Sequence, residues 1–255
     1  MDIAVAGSSG LEAVIGVGDQ PTALLTALSA DRPDHVLLLA PRHLERRARE
    51  QAHVVVAAHP RVRVGVLAFD HHPLTLTLIG AAVLALRDPA GGWSDPGAAV
   101  QLVQQAAVRS RSILWHPRVL GLRRPTPPLS QSAASLLRSG GYFVELGADN
   151  EPLPGRRGFV PDGEEQLYVA GEPPARLRSQ LGATVPRTVA VSTESSAPYR
   201  TRHTVELCGL AGPAWAPLDQ GDCDVCGVTR PPSGCLFCGA GLEAGLQVQL
   251  ARSAG

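Results

Sequence analysis

Polar and apolar positions in residues 1–117 switch repeatedly between two periods. Short, nearly unbroken apolar runs read as strands: Ile3–Ala6, His35–Ala40 (HVLLLA), Val62–Phe69, Val83–Leu86 and Ser112–Trp115. Between them, apolar residues recur at helical spacing. Leu24, Leu25 and Leu28 share a face in Gln20–Ser29. In Arg42–Ala52, Leu44, Ala48 and Ala52 point inward while Arg46, Arg47, Arg49 and Glu50 point outward. A short helix begins near Asp70-His71-His72-Pro73. A further helix carries Ala99, Val100, Val103 and Ala107 on one side, with Asp95 placed as its cap and Pro96 at its first position. Such alternation with short connections predicts an α/β fold: a Rossmann-like, mostly parallel sheet with helices on both faces.

Beyond residue 117 the pattern changes. Arg118–Ser130 reads as a linker, with Pro125, Pro127 and Pro128 close together, and Gln131–Arg138 as one short helix. Short β-type runs follow at Tyr142–Leu146, Gln166–Val169, Thr188–Ser192 and Thr204–Leu207, separated by turns such as Pro152-Leu153-Pro154-Gly155. The expected organisation is a Rossmann-like domain (1–117), a linker (118–130), a smaller β-rich region (131–219) and a zinc ribbon (220–250).

The ribbon rests on two knuckles, Cys223-Asp-Val-Cys226-Gly and Cys235-Leu-Phe-Cys238-Gly, with eight residues between them. Each knuckle offers two thiolates from a tight turn that its glycine relieves. Four thiolates fill a tetrahedral ion completely, so Cys223, Cys226, Cys235 and Cys238 point to structural rather than catalytic zinc. Disulfides and rubredoxin-like iron are the competing readings. The stretch Cys226–Leu242 resembles short zinc-ribbon modules at the ends of bacterial proteins. Cys208, the odd cysteine, reads as a small buried residue.

Composition narrows the chemistry. All 23 basic residues are arginine, which excludes a Walker A loop, a protein kinase and a pyridoxal enzyme, each of which needs a lysine. The 23 acidic residues balance them, so no general nucleic-acid binding is expected. No basic leader precedes the first apolar run, and no apolar run suffices to span a bilayer, so a cytoplasmic protein without membrane contact is expected.

Two loops would lie at the carboxyl edge of the predicted sheet, where open α/β sheets bind ligands. These are Gly7-Ser8-Ser9-Gly10 and Asp88–Asp95, the latter containing Gly91-Gly92-Trp93-Ser94. Neither spells G-x-G-x-x-G, and the first is no G-x-S-x-G elbow. Glycine permits close backbone approach, and Ser8, Ser9, Ser94 and helix N–H groups can donate to an anion. Trp93 and Trp115 fit stacking on a base and core packing equally well.

The run Gly18-Asp19-Gln20-Pro21-Thr22-Ala23-Leu24-Leu25, then His35–Ala40 and a charged helix, resembles CRISPR-associated Rossmann-fold (CARF) domains over residues 1–117. The resemblance implies a symmetric dimer sensing a cyclic oligoadenylate through the loop after the first strand and a T-G-G-T-K-like loop. In Ala90-Gly91-Gly92-Trp93-Ser94 the glycine pair stands, while both threonines and the lysine are replaced. The leading expectation is a non-enzymatic sensor of a nucleotide-type signal, in prokaryotic defence or regulation. A homodimer carrying zinc would relay that signal. One rival is a ring-nuclease-like hydrolase using Asp70, His71, Asp88 and Asp95, for which His72, His43 and His116 at strand ends offer further metal ligands. The other is a non-binding scaffold that meets a protein partner through its ribbon.

Overall fold

The computed structural model describes residues 11–16, 34–86, 95–118, 141–146, 153–154, 165–182, 184, 186–189, 204–211, 221–230 and 234–240. The expected strand Ile3–Ala6, the helices Gln20–Ser29 and Gln131–Arg138, the linker beyond Arg118, and both Gly7–Gly10 and Gly91–Ser94 lie outside the described residues. The chain divides into two compact units, each assembled from separated stretches. One comprises Asp2–Phe69, Gly80–Gln105 and Ala214–Gly255; the other comprises Asp70–Ile79 and Ala106–Pro213.

The first unit holds a parallel sheet in the order β1 (Leu11–Gly16), β2 (His35–Pro41), β3 (Arg63–Phe69). In the central strand, Val36 to Ala40 are at most 1% exposed, so both of its faces are covered, as its unbroken apolar run predicts. Val36 and Leu38 meet Ala52 and Val55 of helix α1 (Glu45–Ala58), and Ala40 meets Ala48. Ala48, Gln51, Ala52 and Val55 form the buried stripe of α1, spaced by three and four residues. On its outer side, Arg46 pairs with Glu50 (3.0 Å) and Arg49 with Glu45 (2.6 Å). The helix runs on to Ala58, six residues past the expected end, because Val55 extends the stripe by another turn.

The second unit holds a six-stranded sheet in the order β6-β5-β4-β9-β7-β8, built from β4 (Arg111–His116), β5 (Tyr142–Leu146), β6 (Leu153–Pro154), β7 (Glu165–Ala170), β8 (Arg187–Val189) and β9 (Val205–Ala211). All pairings are antiparallel except β7 with β8. One face carries Ile113, Trp115, Phe143, Leu167, Val169 and Leu207, closed by Leu177 and Leu181 of a short helix (Ala175–Leu181). Gly141 is required there: a Cβ on it would lie 2.2 Å from the Trp115 indole nitrogen.

The α/β class, with a parallel sheet, a second β-rich part and a cysteine-bearing tail, is as the sequence implies. Several elements differ. Leu11–Gly16 is a strand and Ala175–Leu181 a helix that the pattern does not predict, so Gly7–Gly10 precedes the first described strand rather than following it. Val83–Leu86 is no strand: helix α2 runs from Pro73 to Ala85 and Leu86 lies in a turn. Ser112–Trp115 is a strand, but it pairs antiparallel within the six-stranded sheet. The loop that begins at Asp88 therefore follows a helix, and the strand–glycine loop–helix unit expected there does not form. Helix α3 (Pro96–Arg109) starts where predicted: Asp95 Oδ1 accepts the Gly97 N–H at 2.9 Å.

Candidate functional site

Two turns of the same construction carry four of the thiols. In the first, Gly227 N–H donates to the Cys223 carbonyl (2.8 Å) and Cys223 N–H to that of Val228 (2.9 Å). In the second, Gly239 N–H donates to the Cys235 carbonyl (2.9 Å) and Cys235 N–H to that of Ala240 (2.8 Å). Gly227 and Gly239 sit at φ +71° and +75°, where a side chain would be strained, so the glycine closes each knuckle. Cys223 Sγ lies 3.5 Å from Cys238 Sγ, Cys226 Sγ lies 3.5 Å from Cys235 Sγ, and all four ligand atoms fall within 4.8 Å of one another. Zinc–sulfur bonds of about 2.3 Å require tetrahedral edges of about 3.8 Å. A disulfide needs about 2.05 Å. The four cysteines fit a metal ion, and all are free thiols rather than disulfides.

Local amides favour the thiolate. Those of Val225 and Cys226 hold the Cys223 thiol down to about 7, while burial outweighs the equivalent amides at Cys235 and pushes it up to about 12. Cys223 and Cys235 are buried and Cys238 is exposed, so the centre has one edge toward solvent.

The knuckles are seated on the parallel sheet. His35 and Arg63 are register partners, as are Leu37 and Gly65, and these residues share the face opposite Val36, Leu38 and α1. The Phe237 ring lies over Gly65, with its Cε1 3.2 Å from where a Cβ would stand, and meets the His35 ring edge-on at 5.2 Å. Arg63 Nη1 donates to the Cys226 carbonyl at 3.4 Å. Asp95 Oδ1, besides capping α3, accepts the Thr229 N–H at 3.1 Å. A Cβ on Gly97 would stand 1.7 Å from the Thr229 carbonyl oxygen, so only glycine admits the Thr229 backbone there.

A second polar assembly lies in the other unit, on the face of the six-stranded sheet opposite Trp115. Ser112, His116, Tyr142, Glu206 and Cys208 share that face by register, and all are buried. The start of α2 is anchored to this sheet. His71 Nε2 donates to the Ala107 carbonyl (2.9 Å) while its Nδ1 accepts from the Ser112 hydroxyl (2.9 Å). His72 Nε2 donates to the Ile113 carbonyl at 3.0 Å, and Leu74 N–H donates to Glu206 Oε2 at 3.3 Å. His116 Nδ1 meets Thr204 Oγ1 at 3.0 Å, and burial lowers the pKa of its imidazole to about 4. Glu206 Oε1, Tyr142 OH and His116 Nε2 have no hydrogen-bond partner among the described residues. Sequence reasoning missed Glu206 and Tyr142, because only strand register brings them to one face.

The hydrolytic site expected from Asp70, His71, His72, His43 and His116 is not assembled. Among the described residues, the four cysteines are the only group of three or more metal-ligating side chains that converges. Both ring nitrogens of His71 serve the packing of α2, and Asp95 is spent on capping α3 and holding Thr229. Trp115 is 2% exposed and gives its indole N–H to Gln180 Oε1 (2.7 Å), so it is a core residue rather than a stacking platform. Cys208 is buried and pushed up to about 12 by that burial, apart from the metal centre. The rim residues Gly7, Ser8, Ser9, Gly10, Gly91, Gly92, Trp93 and Ser94, with Asp88, lie outside the described residues.

No protein-family model matches the sequence, and no curated protein matches it. Solved structures do share its fold. A DegV family protein from Eubacterium eligens, loaded with heptadecanoic acid, is 10% identical with a TM-score of 0.51, over 75% of this chain and 78% of that one. A DegV family protein from Corynebacterium glutamicum is 13% identical with a TM-score of 0.50, over 75% of this chain and 80% of that one. At such identity the likeness is one of fold. It nevertheless corrects the CARF resemblance, since the similar folds are DegV proteins. The cyclic-oligoadenylate signal, the defence role, the homodimer, the ring-nuclease-like hydrolase and the scaffold all leaned on that resemblance and fall with it. The structure adds a physical reason: the Asp95 carboxylate occupies the N-terminus of α3, where an incoming phosphate was expected. Among the described residues no helix is long and apolar enough to cross a membrane.

Proposed function

We propose that this chain binds a long-chain fatty acid and carries one structural zinc ion. The observation that supports the first half is the fold likeness to a protein loaded with heptadecanoic acid, extending over 75% of the chain. Ser8 and Ser9 carry hydroxyls that can donate to the acid's carboxylate, and they are the residues to test first. The stretch Gly91–Ser94 suits it less, because it runs into the Asp95 carboxylate at the α3 cap. Burial of each methylene contributes about 0.8 kcal/mol, so affinity should rise about fourfold per carbon along the acyl series. The second half is supported by the four-thiol geometry, which suits zinc and leaves no position for substrate. A centre of reduced thiolates also supports a cytoplasmic location.

The test is extraction of the purified protein and mass spectrometry of the lipids released, followed by titration of delipidated protein with saturated C8 to C18 acids. One acid per chain, with affinity climbing with length and reduced by Ser9→Ala, is the expected result. Absence of co-purified lipid together with no thermal shift from any acid overturns the reading. Elemental analysis should find one zinc per chain, and iron in its place would overturn the zinc assignment.

A further inference from the structure

We propose that the metal centre is a clip whose loading fastens the ribbon to the parallel-sheet unit and thereby holds the first turn of α3. This rests on the zinc reading above. Each knuckle reaches a different part of the unit. The second inserts Phe237 over Gly65, against His35. The first presents the Cys226 carbonyl to Arg63 and, through Thr229, the amide that shares Asp95 Oδ1 with Gly97. Thr229 is tied to the first knuckle by its bridge with Asp222, the neighbour of Cys223. Taken singly, each attachment is small: one ring over one glycine, one carbonyl on an exposed arginine, one shared carboxylate oxygen. A metal ion bonded to all four sulfurs makes the attachments a single event, because neither knuckle can then leave without the other. The N-terminal turn of α3 is thus held partly by residues 134 positions downstream in the chain. Gly65 and Gly97 share one explanation, since each lacks the Cβ that would keep the ribbon away.

The experiment uses the full chain purified with zinc, metal analysis, and hydrogen exchange followed by mass spectrometry. Removing zinc with a strong chelator should speed exchange at least tenfold at 97–101 and in Arg63–Phe69, as well as in the ribbon. Exchange in β4, β5, β7 and β9 should stay unchanged. Gly97→Ala leaves every cysteine in place and substitutes a better helix former. Zinc should remain at one per chain while the amides at 98–101 exchange faster, the opposite of what helix propensity alone predicts. Gly65→Leu should displace Phe237 with the same signature. Overturning results are a zinc-loaded Gly97→Ala chain that exchanges like the parent, or chelation that deprotects the ribbon alone. A chain that binds no zinc overturns both this proposal and the reading it rests on; one that binds zinc yet keeps α3 protected after chelation overturns this proposal only.

Discussion

His72 Nδ1 lies 3.5 Å from Glu206 Oε2, with the two side chains 3% and 0% exposed. The same oxygen accepts the N–H of Leu74 in the first turn of α2, where the helix dipole favours a negative group. Because His72 Nε2 already gives its proton to Ile113, only a donor on one side of this contact makes it attractive. Glu206→Gln keeps the shape but can place either its oxygen toward the Leu74 N–H or its NH2 toward His72, not both, so its cost should be about 1–1.5 kcal/mol. Glu206→Leu strands both the imidazole and the Leu74 amide and should cost about 3 kcal/mol. Urea unfolding of the two variants separates them. Equal losses would show that the carboxylate's charge, rather than its hydrogen bonding, is what matters.

Acid should weaken the fold through His116. In the unfolded chain its imidazole titrates near 6.5, and burial lowers it to about 4 in the folded protein. Protons therefore bind the unfolded form first. Stability is complete above pH 6.5 and declines between about 6.5 and 4, by about 3 kcal/mol from this group. His71 is lowered by burial too and adds in the same sense. His116→Asn should flatten the decline, read from urea midpoints at pH 7 and pH 4.5. An unchanged slope would remove His116 as its source.

Arg111 grips Glu145 with two parallel bonds (2.9 and 2.8 Å) and reaches Glu165 with a third nitrogen at 3.3 Å. These acids hold its guanidinium further above its already high pKa, joining β5 to β7 across β4 and β9. Arg111→Lys keeps the charge and loses the fork, and should cost about 1–2 kcal/mol in chemical denaturation. A neutral result would mean that charge alone suffices at this partly exposed position.

Thiol titration should sort the five cysteines into two classes. In the zinc-loaded protein none should react quickly with a disulfide reagent. Chelation should expose four, and denaturation the fifth, since Cys208 is buried and its thiol is held up at about 12. Cys223→Ser should lose zinc altogether. Rapid reaction of Cys208 in the native state would contradict its placement in β9.

The cysteine cluster is legible in the sequence because metal-ligand spacing is local: each knuckle is a five-residue turn, and two of them bring four thiols together. Helix α1 is equally legible, since Ala48, Ala52 and the outward arginines write a single stripe. Helix α2 is not. Leu74-Thr75-Leu76-Thr77-Leu78 alternates as a strand does, and burial on nearly every side leaves no helical period to read. The direction of β4 is equally hidden, because its neighbours Tyr142–Leu146 and Val205–Ala211 are distant in the chain. One signal was available and unused: a glycine inside the apolar run Val64-Gly65-Val66 announces a close approach, here by Phe237.

The seat of Phe237 on Gly65 has a consequence for how the protein is made. Arg63 meets Cys226, 163 residues later, so translation delivers the parallel sheet long before its cover. During that interval Gly65 lacks the Phe237 ring that lies over it in the finished fold. Completion of this unit therefore falls after synthesis of the tail.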